Sequence, residues 1–319
     1  MPAGSWRYHP QRLWLRRALF QVHLWTGIAF GLYVLAISVS GSAIVFRNPL
    51  YKALSHGPLL VPVSGPRLTH QQLQQAALRA YPDYALSYIW DGKLPNQAVE
   101  IWLRRGNRQK QRLFDPFTGR DLGPSVPAGI KILAWLGDLH INLLAGERGR
   151  AINGVGAAIL CIMSLSGLIV WWPGVVSWRR NLTIGWRANW KRLNWDLHSA
   201  VGVWMFPFVF MWGLTGVLLV FPRPYQNLVA RFTPINQPFR RGRPMAIGDR
   251  ILRWPAWLHF GNHWGWPIET LWTIFGLVPV LLFVTGVIMW WNRVVWPALR
   301  RLMRHSVNNI VPAGANPQR

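Results

Sequence analysis

Four long apolar runs, set apart by basic and mixed segments, give the chain its pattern. The first, Gln21 to Phe46 (QVHLWTGIAFGLYVLAISVSGSAIVF), exceeds the roughly 20 residues needed to cross a hydrocarbon core and holds one histidine near its start. Asp196 to Phe221 (DLHSAVGVWMFPFVFMWGLTGVLLVF) repeats it: His23 and His198 each precede a glycine by four residues, another by 18 and a phenylalanine by 23. A second repeat links the other two runs, with His140 and His259 each lying 27 residues before a glycine (Gly167, Gly286) and 31 before a tryptophan (Trp171, Trp290). His263 has no counterpart. Internal repeats decide architecture before local propensity does. They predict an all-α membrane bundle of four transmembrane helices from duplicated helix pairs, with spans at about 20–46, 151–173, 196–221 and 269–292.

Between the first two spans the periodicity changes. Ser55 to Pro66 is rich in Pro, Gly and Ser and reads as a linker. Thr69 and Gln72 form a capping-box signature ahead of a helix with Leu73, Ala76, Ala77 and Ala80 on one face. Residues 84–90, 98–104 and 111–114 then read as three short strands, separated at Gly92, Gly106 and the DPFTG turn of 115–119, so that helix and strands make a small α+β module. Pro127 to Leu144 has helical spacing but is too interrupted for a clear span, and is expected as an interfacial helix. The proline-rich, basic stretch from Pro222 to Met245 is expected to be irregular.

Charge orients this scheme. The first 18 residues, the segment between the second and third spans and the C-terminal tail are basic and hold no Asp or Glu, which by the positive-inside rule puts both termini and the middle loop in the cytoplasm. Residues 47–150 and 222–268 then lie outside, in the periplasm of a bacterium with the protein in its inner membrane. The outer side also carries a basic surplus, which points to anionic lipid, an acidic partner or an anionic ligand. Nucleic acid is excluded as a partner, because the membrane divides the basic residues and no binding motif accompanies them. Cys161 is the sole cysteine, so a metal centre must rest on histidine. No phosphate-binding glycine loop is present.

The module with its FDPFTGRDLG ending, flanked by HLWTG, SGSAIVF and DLHSAVG, resembles a PepSY domain within the PepSY-associated transmembrane family. That resemblance, which runs from about Arg12 to Arg304, implies, for some members, inner-membrane reduction of ferric siderophores of the FoxB type with haem b. Haem iron takes axial ligands from opposed sides, and a bundle can supply two imidazoles at one depth. His23 with His198 near the inner face and His140 with His259 near the outer face are the candidate pairs for two haems b. His263 is a candidate to line the acceptor site or to replace His259. The expected function is a di-haem oxidoreductase that draws electrons from a quinol or a cytoplasmic donor and reduces a periplasmic ferric siderophore, with no catalytic acid, base or nucleophile. Two alternatives stand beside it: a cytochrome subunit serving a periplasmic redox protein, and a non-catalytic PepSY sensor or regulator. A zinc or copper site at His259 and His263 competes for the outer histidines. Asp196 reads as a helix N-cap rather than a support for His198. His9, His56, His70 and His305 read as solvated.

Overall fold

A computed structural model of the protein describes residues 5–8, 10–55, 57–235 and 246–310. The expectations for His9 and His56 lie outside the described residues, as does that for the side chain of His305. The chain divides into two compact units, Phe46–Leu136 and the rest, Met1–Val45 with Gly137–Arg319.

The second of these units holds the long helices. Helix α1 (Trp14–Ile44) forms the first candidate span. After α2 (Arg47–Leu54), α3 (His70–Ala80) and α4 (Ala128–Asn142), the second is α5 (Gly146–Trp171). The third is built from α6 (Trp190–Asp196), a π-helical turn at Leu197–Val201 and α7 (Gly202–Val220). Then come α8 (Pro222–Ala230) and α9 (Ile247–Phe260). The fourth span is made by α10 (Trp266–Gly276), α11 (Val278–Trp290), a second π-helical turn at Trp291–Val295 and the start of α12 (Trp296–Ile310). All four are long and apolar enough to cross a membrane. They outrun the apolar windows because flanking Trp, Arg and Lys continue the helix with their polar ends free to reach water. Around the bundle α1 packs on α5 and α11, α5 packs on α7, and α9 packs on α7.

The bundle is polar at its contacts and apolar outside. Leu32, Ile152, Ile162 and Trp204 are exposed, while Ser40, Ser166, Thr215 and Thr285 are 1%, 4%, 4% and 3% exposed. Membrane helices meet through small residues and hydroxyls because lipid already satisfies large apolar side chains.

In the smaller unit, α3 opens with the Thr69–Gln72 capping box and lays Leu73 and Ala77 over Val99, Ile101, Leu103 and Phe114. The antiparallel sheet runs β1 (Ala85–Trp90), β2 (Val99–Arg105), β3 (Arg108–Phe114) and β4 (Asp121–Pro124), each beside the next. The fourth strand is an addition to the three expected. It is short and Gly-Pro-ended, and is held by Arg112 of β3 bonding Asp121 at 2.7 Å rather than by strand propensity. The expected irregular stretch is also corrected in part, since α8 forms a regular helix over Pro222–Ala230 with proline in its first turn, where no backbone donor is needed.

Candidate functional site

Each of the four repeat histidines is held in the same way. A hydroxyl residue on a neighbouring helix, followed at once by a glycine, receives the imidazole. His23 Nδ1 lies 3.0 Å from Ser166 Oγ, His198 Nδ1 2.9 Å from Thr285 Oγ1, His259 Nδ1 2.9 Å from Thr215 Oγ1, and His140 Nδ1 3.4 Å from Ser40 Oγ. Each hydroxyl hydrogen is committed to its own helix: Ser40 donates to the Ala36 carbonyl at 2.6 Å, Ser166 to Met163 at 2.9 Å, Thr215 to Met211 at 2.7 Å and Thr285 to Leu281 at 2.8 Å. The oxygen is left as an acceptor, so the imidazole must be the donor. The carbonyl of Ile37 takes the same hydrogen from His140 Nδ1 at 3.1 Å. Nδ1–H therefore donates in all four, and Nε2 keeps its lone pair.

The glycines make room for the rings. A Cβ on Gly41 would stand 2.7 Å from His140 Cε1, one on Gly167 3.0 Å from His23 Cε1, one on Gly286 3.4 Å from His198 Cε1 and one on Gly216 3.8 Å from His259 Cε1.

The structure brings the histidines together in twos. His140 and His259 have ring centroids 6.1 Å apart, inclined at 52°. His23 and His198 line one cavity of about 350 Å³ between α1, α5, α6, α7 and α11, whose walls include Leu24, Ile28, Val209, Leu282 and Phe283. Lys191, Asn292 and Arg293 also line it. The 18 residues of helix from His23 to Gly41 place the two sites roughly 27 Å apart along the bundle.

Two imidazoles sharing one metal atom, each nitrogen about 2 Å from it and each ring centre about 1 Å farther, have centres about 6 Å apart, as His140 and His259 do. The other site offers an apolar cleft, two imidazoles and two cations suited to carboxylates. These features fit b-type haem. Among the described residues no group of three or more His, Cys, Asp or Glu is arranged to hold a metal ion, which does not fit a zinc-type centre.

Comparison with known proteins adds the family. The PepSY-associated TM region matches residues 20–293. The chain belongs to that family. As a member of it, and with four helices able to span a bilayer, it is a multi-pass membrane protein. It is also similar to an uncharacterized protein of Pseudomonas aeruginosa, 24% identical over 134 residues, which are 36% of this chain. The chain covers about a third (32%) of that relative's length.

His263 lies beyond the end of α9, where Gly261 takes φ +69°, and stacks on Trp257. His259 and His263 thus do not share a helix face. Asp196 is not an N-cap: the helix begins six residues earlier, at Trp190, capped by Asn189, and buried Asp196 pairs with Arg192 at 2.8 Å and accepts from Gly185 N at 3.2 Å. His70 is not merely solvated but pairs with Asp91. The hydroxyls of Ser40, Ser166, Thr215 and Thr285 were missed as site residues. Their signal was present, as the same Ser-Gly or Thr-Gly pair in each of the four spans.

Proposed function

We propose that this membrane protein is a di-haem b oxidoreductase that moves electrons across the bilayer and reduces ferric iron held by a siderophore on the outer face. His23 and His198 hold one haem and His140 and His259 the other. The reading is carried by the fourfold arrangement in which Nδ1–H is spent on a hydroxyl, leaving four Nε2 lone pairs, two on rings that line one cavity and two on rings 6.1 Å apart. Second-shell acceptors of this kind fix the tautomer and orientation of ligating imidazoles. Haem b, when bound, supplies a one-electron Fe(III)/Fe(II) couple. The chain's own part is to hold the rings, to keep the spans apolar around them, and to offer Lys191 and Arg293 to carboxylates at the first site.

The basic flanks orient both termini and the first site toward the cytoplasm in the inner membrane, so that electrons enter there from a quinol or a cytoplasmic donor. The acceptor's Fe(III) takes one electron and becomes Fe(II), which hard oxygen chelators hold far more weakly. No proton transfer by a side chain is required.

The test is the visible spectrum of the purified protein, then turnover in liposomes. Reduction should give sharp b-type bands, and ferric siderophore added outside should reoxidise them while Fe(II) appears on a ferrous chelator. A colourless, folded protein overturns the redox reading in favour of a sensor. Haems that stay reduced with the siderophore but pass electrons to a periplasmic redox protein make it a cytochrome subunit.

A further inference from the structure

The repeat leaves one histidine over, and the structure gives it a setting found in only one half. After Gly261 the turn Asn262–Trp264 lays the His263 imidazole on the Trp257 indole, centroids 4.2 Å apart and planes 14° from parallel. Trp254 stands 5.8 Å from Trp257 and 6.4 Å from Trp264, and Trp264 stands 5.4 Å from His263. The group is open to its surroundings, with Trp254 and Trp264 47% and 43% exposed. In the register that equates His259 with His140, Trp254 corresponds to a tryptophan, Trp135, but Trp257, His263 and Trp264 correspond to Asp138, Leu144 and Ala145. Scaffolding of the outer site therefore does not require the cluster, since the first half builds its share without one. Lone interfacial tryptophans are explained by a membrane belt. An imidazole laid face to face on an indole in an exposed turn is not.

Aromatic rings gathered in one exposed patch bind flat aromatic groups by stacking. The sequence of this segment is basic: residues 222–269 contain seven arginines against two acids, Glu269 and Asp249, the latter buried and accepting from the Ala246 backbone N–H at 3.0 Å. Along the chain the cluster brackets the proposed outer site, with Trp257 and His259 in the last turn of α9 and His263 in the turn that follows.

We infer that Trp254, Trp257, His263 and Trp264 form the acceptor's docking platform, and that the acceptor is an anionic ferric chelate whose iron is held by aromatic oxygens, as in a catecholate or phenolate complex. The inference rests on the proposed reduction at the His140–His259 site but is tested without it. Full-length protein in nanodiscs is titrated calorimetrically with the redox-inert gallium(III) tris-catecholate, with gallium(III) citrate as an anionic complex lacking rings and empty nanodiscs as the lipid control. The catecholate should bind the protein in preference to both controls. Joint Trp257→Ala and His263→Ala substitution should weaken it about tenfold, as expected for two lost stacking faces, while Trp257→Phe retains most of the affinity. Equal binding of the citrate complex, equal uptake by empty nanodiscs, or unchanged affinity in the double variant overturns the platform. Pigment, read on the same samples, separates the two claims: a colourless protein whose catecholate binding is lost in the double variant keeps the platform and loses the reductase, and a pigmented protein indifferent to the double variant does the reverse.

Discussion

The two halves of the bundle use the same device with a consistent difference in fit. In the first half, serines hold the imidazoles, Ser166 for His23 and Ser40 for His140, and the glycines behind them leave least room, 3.0 and 2.7 Å to a notional Cβ. In the second half threonines do so, Thr285 for His198 and Thr215 for His259, with 3.4 and 3.8 Å. A β-branched threonine is stiffer about χ1, and its hydroxyl is fixed by the carbonyl four residues back. What the halves share, a donor-locked ring over a glycine, is the requirement of the site. What they vary, Ser against Thr and closeness of fit, is how each half meets it.

The comparison breaks most easily at the histidines. Because each proposed centre takes one imidazole from each half, His23→Ala and His198→Ala should each remove the same haem and leave about half the pigment per protein, and His140→Ala and His259→Ala should do likewise for the other. Half pigment in His263→Ala with full pigment in His259→Ala would show that the wrong outer residue had been paired. Next in size is glycine substitution. Gly41→Ala forces the His140 ring to move and should abolish or strongly reduce the outer pigment, whereas Gly216→Ala meets its ring at ordinary contact distance and crowds only Ala157 Cβ, at 3.2 Å, and should cost less. Equal losses in the two variants would erase the difference in fit.

Smaller effects should follow from removing the hydroxyls. Thr285→Val and Ser166→Ala take away the acceptor that orients each ring, and each should weaken haem retention by about 10- to 100-fold and shift the midpoint potential of the inner site alone, read by spectroscopic redox titration. Ser166→Thr should restore most of it if the hydroxyl is what matters.

The smallest expected effect lies in the module, which belongs to neither half. Burial alone would raise the pKa of Asp121, but hydrogen bonds from Arg112 and Tyr81 and the arginine's charge hold it below the usual carboxylate range. A depressed carboxyl contributes stability above its unfolded pKa and loses it as the pH falls through the folded value. Hydrogen-exchange protection of β3 and β4, corrected for intrinsic rate, should therefore fall below about pH 4 while α5 stays protected, and Asp121→Asn should flatten that response.

The four histidines and their glycines were legible in the sequence because duplication preserved spacing, a signal that needs no structure. The hydroxyls share that register, each directly before a repeat glycine, but their role was not legible, because Ser and Thr are common in membrane helices and spacing alone does not separate a ring's acceptor from a packing residue. Asp196 misled for a related reason. Its acidic side chain next to an apolar run imitates a cap, while the helix in fact starts within the Trp- and Arg-rich stretch from Asn189. The helix ending at His259 was hidden by Pro255 and by the density of aromatic residues, and only the structure shows it as the equivalent of α4.

The way the rings are supported has a consequence for assembly. Every histidine is braced within its own half, His23 against α5, His140 against α1, His198 against α11 and His259 against α7, yet each pair is completed across the halves. A chain of half this length would therefore prepare two correctly oriented imidazoles and finish neither site, and two copies of it related by a twofold axis would finish both. The covalent joining of the halves makes permanent what such a dimer would reach only by association, and it frees one half to change where the other cannot, as the cluster at His263 has done.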